Sequence, residues 1–66
     1  MITLHYKDIN EFELVQVLDY LEQRGTRYAD IYQGNDCVWV SSGSANCPIN
    51  EYFIFNHGRL VDIQID

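Results

Sequence analysis

Residues 8–25, DINEFELVQVLDYLEQRG, form the stretch of sequence that decides the fold. Apolar side chains recur in it at the i, i+3, i+4, i+7 spacing of a helix that buries one side. The residues at this spacing are Leu14, Val17, Leu18 and Leu21. Gly25, just beyond the last apolar residue, is a common helix stop because glycine tolerates a left-handed backbone. The stretch therefore predicts one amphipathic helix that needs an apolar surface to cover its buried side.

Two places in this stretch match the start of a helix. Asn10 is followed three residues later by Glu13, and Asp8 is followed in the same way by Glu11. In both pairs the first side chain can accept hydrogen bonds from the free N–H groups of the first turn. We therefore predict a helix start within two residues of Asn10.

The rest of the sequence has the period-two alternation of β-strands. The predicted strands are residues 2–6, 27–32, 37–41, 52–55 and 60–65. Turn-forming residues at 34–36 and 56–59 join four of them into two hairpins, and residues 41–50, SSGSANCPIN, are predicted to be a loop. The order βαββββ predicts a single α+β domain over residues 1–66. In it one helix packs on one face of a mostly antiparallel sheet of about five short strands.

Strand alternation divides the sheet residues between two faces. The face predicted to lie under the helix carries Ile2, Leu4, Ala29, Ile31, Val38, Val40, Phe53, Phe55, Val61, Ile63 and Ile65. The other face carries Thr3, His5, Tyr28, Asp30, Tyr32, Cys37, Trp39, Ser41, Tyr52, Ile54, Leu60, Asp62 and Gln64. One helix covers only one face, so Tyr28, Tyr32, Trp39 and Tyr52 are expected to be exposed. We interpret these rings as anchors of a protein interface or of a homodimer packed sheet to sheet.

The charge balance limits the classes of partner. Ten acidic side chains against four basic ones give a net charge of −6, which disfavours binding to nucleic acid or to an anionic membrane and favours a basic protein. No apolar segment is long enough to span a membrane, and the N-terminus does not read as a secretory signal. Two cysteines are too few for a disulfide framework. We expect a cytoplasmic protein with reduced thiols.

Acidic residues line one side of the predicted helix. At about 100° per residue, one arc of roughly 80° beside the apolar stripe holds Asp8, Glu11, Val15, Asp19 and Glu22. Acids in a first turn are stabilised by the helix dipole, but Asp19 and Glu22 lie in the second half, where the dipole and their mutual repulsion disfavour them. Two interpretations remain open. The two acids pair with Arg27 or Arg59 from the sheet, or they are there for a partner.

A row of carboxylates along a rigid helix can imitate the phosphates of a nucleic-acid backbone. In size and charge, though not in any motif, the chain resembles small acidic proteins, often carried by phages, that mimic DNA and block restriction, repair or CRISPR enzymes. The resemblance implies an inhibitor or modulator of a basic, nucleic-acid-binding protein. The alternative is an immunity or antitoxin-like protein that neutralises one specific nuclease or toxin.

Catalytic and metal-binding patterns are missing from the sequence. Cys37, Cys47, His5 and His57 do not have the paired spacing of a zinc site, and the serine-rich segment at 41–44 lacks the context of a phosphate-binding loop. We therefore expect a protein that is not an enzyme and that uses no cofactor and no metal. The candidate partner-binding residues are Glu11, Asp19, Glu22, Tyr28, Tyr32, Trp39 and Tyr52.

Overall fold

The computed structural model describes residues 1–5, 10–34, 37–44 and 46–66. Its elements are β1 (Ile2–His5), α1 (Glu11–Arg24), β2 (Ala29–Gln33), β3 (Cys37–Gly43), β4 (Pro48–Asn56) and β5 (Arg59–Ile65). The predicted α+β fold in the order βαββββ is confirmed. The predicted strand end at Tyr6, the alternative helix start at Asp8 and the turn residues 35–36 lie outside the described residues.

The five strands form one sheet in the order β1-β2-β3-β4-β5. β1 and β2 are parallel, with α1 between them in the chain, and each later pair of neighbours is antiparallel. The predicted hairpins β2–β3 and β4–β5 follow from the turn-forming residues that separate their strands, and β3 and β4 form a third hairpin. Because neighbours in sequence are neighbours in the sheet, residues of successive strands line up in rows that cross the sheet.

Both ends of α1 are closed by local hydrogen bonds. The Asn10 side chain accepts the backbone N–H groups of Phe12 at 3.1 Å and Glu13 at 3.2 Å, so the start at Asn10 is confirmed. Gly25 has φ 81° and donates its N–H to the Glu22 carbonyl at 3.0 Å. A left-handed residue at this position satisfies carbonyls that the last turn would leave unpaired.

The core lies between α1 and the central strands. Its buried apolar residues are Val17, Leu21, Ala29, Ile31, Val38, Val40 and Phe53. Leu14 and Leu18 are half-buried and pack at its margin. These contacts confirm which side of the helix and which face of the central strands meet.

The assignment of β5 to the two faces was partly wrong. The pairing of β4 with β5 shifts between Ile54, which lies opposite Asp62, and Phe55, which lies opposite Leu60. The extra residue is Val61, which is 56 % exposed, whereas Leu60 packs against the core. A β-bulge inserts one residue and so reverses the alternation on one side of it, which strict period two cannot anticipate.

Two further residues assigned to the core are exposed. Leu4 lies in β1 and Ile65 lies in β5, the two edge strands of the sheet, and both side chains are exposed. A single helix of 14 residues packs on this five-stranded sheet and leaves these two side chains uncovered. This helix is also too short to cross a membrane, and the described part of the chain contains no membrane-spanning helix.

The predicted loop at residues 41–50 was also wrong. Ser41 lies opposite Asn50 and Gly43 lies opposite Pro48, so β3 and β4 continue almost to their turn. Gly43 has φ 88°, and a Cβ there would lie 2.6 Å from the Cys47 carbonyl oxygen. This close approach makes the turn tight. The segment extends the sheet and does not fold over its aromatic face.

Candidate functional site

The first candidate surface is the acidic stripe, which we define as Glu11, Asp19 and Glu22 on the solvent side of α1. All three side chains are exposed, and Val15 lies among them. From Glu11 to Glu22 the helix rises by about 16 Å. The predicted grouping on one side of the helix is therefore present, except that Asp8 lies outside the described residues.

The acids of the second helical half are not held by the sheet. Within residues 1–5, 10–34, 37–44 and 46–66, neither Asp19 nor Glu22 forms an ion pair, although Arg27 and Arg59 were the expected partners. Arg24 lies near Glu22 in sequence, but its guanidinium is bound elsewhere, at 2.6 Å from a carboxylate of β4. The two carboxylates are therefore exposed to solvent in the second half of the helix, where the dipole disfavours them.

An apolar patch, which the sequence analysis missed, adjoins the stripe. Phe12 is 82 % exposed and Val15 is 54 % exposed, although both belong to an amphipathic helix with a well-defined core side. With Glu11 and Gln16 they line a shallow concavity of about 470 Å³. At about 100° per residue, Phe12 lies on the side of α1 opposite the core. The aromatic residue type alone suggested that Phe12 is buried. Its angular position around the helix axis was the only sequence signal that could have indicated exposure.

Gln16 fixes the position of this patch relative to the sheet. Its side-chain nitrogen donates to the Gly58 carbonyl at 2.6 Å, and its side-chain oxygen accepts the Leu60 backbone N–H at 2.9 Å. The helix is thereby joined to the β4–β5 turn beside Phe12 and Val15. A patch on a rigid element binds a partner at a lower entropic cost than one on a loop.

The second candidate surface is the aromatic row on the open face of the sheet, formed by His5, Tyr32, Trp39 and Tyr52. Each lies opposite the next across neighbouring strands. The His5 and Tyr32 rings stack at 4.5 Å between centroids, Tyr32 and Trp39 at 4.7 Å, and Trp39 and Tyr52 at 6.2 Å. Cross-strand aromatic pairs of this kind stabilise a sheet as well as presenting a surface.

The stacking decides which parts of the rings a partner can reach. Tyr32 and Trp39 have a neighbour on each side, so their faces contact other rings, and the Trp39 ring nitrogen is buried. Single-strand nucleic-acid binders stack bases on free ring faces. The two inner rings offer no such face, and the adjacent side chain of Asp30 is acidic, which further disfavours a phosphate backbone.

The structure brings together three of the four predicted rings and adds one residue. The prediction that all four rings are exposed was wrong for these three, since Tyr32, Trp39 and Tyr52 shield one another and are half-buried. Tyr28 precedes β2, is 71 % exposed and stacks on no ring in the described part of the chain. His5 takes the end of the row instead, and its Nε2 lies 2.9 Å from a carboxylate oxygen of Asp30. His5 was placed on this face, but its role in the row depends on the register between β1 and β2.

The sequence analysis gave no role to Glu51, which lies on the helix-facing side of β4. It is fully buried, and its Oε2 accepts a 2.6 Å hydrogen bond from the Arg24 guanidinium. This hydrogen bond raises the pKa of Arg24 and outweighs the opposing effect of burial. Arg24 also lies over the ring of Tyr20, 5.2 Å from its centroid. The pair fastens the end of α1 to the sheet and takes Arg24 away from the acidic stripe.

The remaining reactive groups are scattered. Cys37 is half-buried, Cys47 is exposed and both are free thiols. His57 adopts φ 52° in the β4–β5 turn, as its place in a turn sequence suggested. Across the described ranges, no three His, Cys, Asp or Glu side chains are grouped as metal ligands.

The chain was compared with known proteins. No family model matches it, and no curated protein and no solved structure matches it either.

Proposed function

We propose that this protein binds a basic protein in the cytoplasm, through the acidic stripe and the adjoining Phe12 and Val15, and inhibits or modulates it by occupying a nucleic-acid-binding surface. The observation that carries the proposal is the exposure of Asp19 and Glu22 without an ion-pair partner in the described part of the chain. Local stability disfavours both charges at these positions. Binding to a basic partner would explain why acidic residues occupy positions 19 and 22.

The acids and the apolar side chains have different roles in this proposal. Exposed carboxylates attract a basic surface over a distance and raise the association rate more than they add to affinity. Exposed Phe12 adds only a small apolar contact beside the stripe in this proposal. The binding step involves no bond making or breaking, so we propose that the protein is not an enzyme.

One observation favours the alternative, an immunity or antitoxin-like protein specific for a single nuclease or toxin. An imitation of a phosphate backbone needs charges at the right spacing but no aromatic anchor, whereas Phe12 is 82 % exposed beside the stripe. Phe12→Ala separates the two readings. A nucleic-acid mimic retains most of its affinity after this change, and an immunity-type protein loses at least about tenfold, the equivalent of about 1.4 kcal/mol.

The aromatic row is the second proposed contact surface, either for the same partner or for a homodimer packed sheet to sheet. Tyr32, Trp39 and Tyr52 stack side by side there, with Trp39 in the middle. Two charge-matched variants separate this surface from the stripe. Asp19→Asn with Glu22→Gln removes two acids from the helix, and Asp30→Asn with Asp62→Asn removes two from the open face of the sheet.

The test is capture of partners from a nuclease-treated lysate of the source cells, on immobilised wild type and on both variants, at low and high salt. The proposal predicts a basic protein that is retained at low salt, released at high salt and lost only with the helix variant. If the helix variant retains the partner and the sheet variant loses it, the interface lies on the aromatic row. That result would contradict the proposal.

A further inference from the structure

No strand pairs with the outer side of β5 in the described part of the chain, although the Leu60 N–H is bound by the Gln16 side chain at 2.9 Å. β5 is last in the strand order and runs for seven residues, Arg59–Ile65, without a proline. Its inner side bonds to β4. An edge of this length offers a row of backbone N–H and C=O groups to any strand that fits it.

The hydrogen bonds define which residues of β5 face outward. The Asp66 N–H donates to the carbonyl of Asn50 in β4 at 2.9 Å. Since backbone groups of an antiparallel strand alternate between its two sides, those of Ile63 and Ile65 face away from β4. Consistent with this, the Ile63 N–H is taken by the side-chain oxygen of Asp62 at 2.9 Å.

The outward-facing residues also carry exposed apolar side chains. Ile65 is 70 % exposed and Val61 is 56 % exposed, and Ile63 between them is half-buried. α1 reaches the Leu60 end of β5 through Gln16 and leaves Val61 and Ile65 exposed. An apolar run on a free edge is a pairing surface, because a second strand would satisfy the backbone and cover the side chains together.

We propose that β5 pairs antiparallel with β5 of a second copy of this chain, about a two-fold axis that passes between the two Ile63 residues. In this register Val61 lies opposite Ile65 of the second copy, so the exposed apolar side chains meet each other. On the other face Asp62 lies opposite Gln64 of the second copy, and a carboxylate can accept from an amide. The strand edge is therefore complementary to itself in its side chains, and at the two-fold axis the Ile63 N–H exchanges the Asp62 side chain for the Ile63 carbonyl of the second copy.

The charges select this register over its neighbours. A shift by one residue would put helix-side residues opposite open-face residues, so only shifts by two residues keep the faces in order. A shift by two in one direction places Asp62 opposite Asp62 of the second copy, and in the other direction it places Asp62 opposite Asp66. Like charges directly opposite each other destabilise a strand pair. The register centred on Ile63 avoids both contacts.

This dimer and the proposed binding of a basic protein depend on salt in opposite ways. Each copy has a net charge of −6, so the two copies repel each other and added salt strengthens their association by screening. Binding of the acidic stripe to a basic partner is weakened by the same salt. Failure of one proposal is therefore distinguishable from failure of the other.

The experiment is sedimentation equilibrium of wild type, Ile65→Pro and Ile65→Thr from micromolar to millimolar protein at low and high salt. Both substitutions reduce the apolar area of the side chain, but only proline removes the outward N–H, and it leaves the ladder with β4 intact. We expect a wild-type dimer that salt strengthens, and we expect Ile65→Pro to weaken it about tenfold more than Ile65→Thr, since each dimer loses two hydrogen bonds. Thermal unfolding of each variant establishes that it is folded.

A second measurement needs no substitution. In a mixed sample of isotope-labelled and unlabelled wild type, the proposed register predicts NOEs between the Val61 methyl groups of one copy and the Ile65 methyl groups of the other. A monomer throughout the concentration range would overturn the proposal. Equal dissociation constants for the proline and threonine variants, or a dimer without these NOEs, would overturn it as well.

Discussion

Glu51 is a fully buried carboxylate in a domain of 66 residues, and its burial needs a compensating charge. Arg24 supplies it with a hydrogen bond of 2.6 Å, and the same guanidinium donates to the Thr26 hydroxyl at 3.0 Å. A buried ion pair is weak evidence for net stability, because desolvation offsets much of the attraction. Removing one partner destabilises the fold, because the other charge then remains buried without a compensating charge.

Arg24→Met should lower the free energy of unfolding by about 2–3 kcal/mol. Loss of one partner of a fully buried pair costs about 3–5 kcal/mol, and the Arg24 side chain is 34 % exposed, so water can reach the site and reduce the loss. Arg24→Met with Glu51→Met should be less destabilised than Arg24→Met alone, since it leaves no unpaired charge. Urea unfolding of the three proteins measures this, and a double variant less stable than Arg24→Met would refute the explanation.

Single residues were predictable from the sequence where their cause is local. Asn10 and Gly25 act on backbone groups within a few positions, and both were identified from the sequence. Glu51 was not, because its partner lies 27 positions away and its strand starts earlier than the turn residues suggested. Phe12 was missed because exposure of an aromatic residue follows from the tertiary arrangement.

At the scale of the element, α1 carries acids for two reasons. Glu11 and Glu13 lie in the first turn, where the dipole stabilises them, and Glu13 also lies 3.4 Å from the side-chain nitrogen of Asn10. Asp19 and Glu22 lie where the dipole and their spacing of three residues are unfavourable. Two acids that stabilise the helix can therefore be compared with two acids that do not, within the same helix.

Asp19→Asn with Glu22→Gln should leave the free energy of unfolding unchanged or raise it by a few tenths of a kcal/mol, because repulsion and the unfavourable dipole contribution are relieved. Glu11→Gln with Glu13→Gln removes the same number of charges and should lower it, since favourable dipole interactions are lost. Equilibrium unfolding at low salt compares the two. If only the Asp19/Glu22 variant is destabilised, these two acids stabilise the folded state.

The strands were predictable in number and order but not at their ends. Alternation and turn residues located all five, because a sheet with one covered face has a clear period of two. The serines of 41–44 suggested a loop, yet polar residues on the open face of a sheet are compatible with a strand, and β3 runs to Gly43. The bulge beside Val61 is set by the fit of β5 to its neighbour.

For the whole molecule, the fold separates two surfaces on opposite sides of the sheet. The acidic stripe lies on the solvent side of α1, which packs on one face, and the aromatic row lies on the other face. The sequence predicted both sets of side chains except Phe12 and His5. It could not show whether sheet arginines neutralise Asp19 and Glu22, because that depends on contacts between distant segments.

The central claim is that Asp19 and Glu22 serve binding, and calorimetric titration of the captured basic partner tests it most directly. The titrants are wild type, Asp19→Asn with Glu22→Gln, and the charge-matched Asp30→Asn with Asp62→Asn, each over a range of salt concentrations. We predict that the helix variant binds about three- to tenfold more weakly at low salt, because two exposed charge contacts are lost, and that its affinity depends less on salt. The sheet variant should bind as wild type does. Equal affinity and equal salt dependence for wild type and the helix variant would contradict the claim.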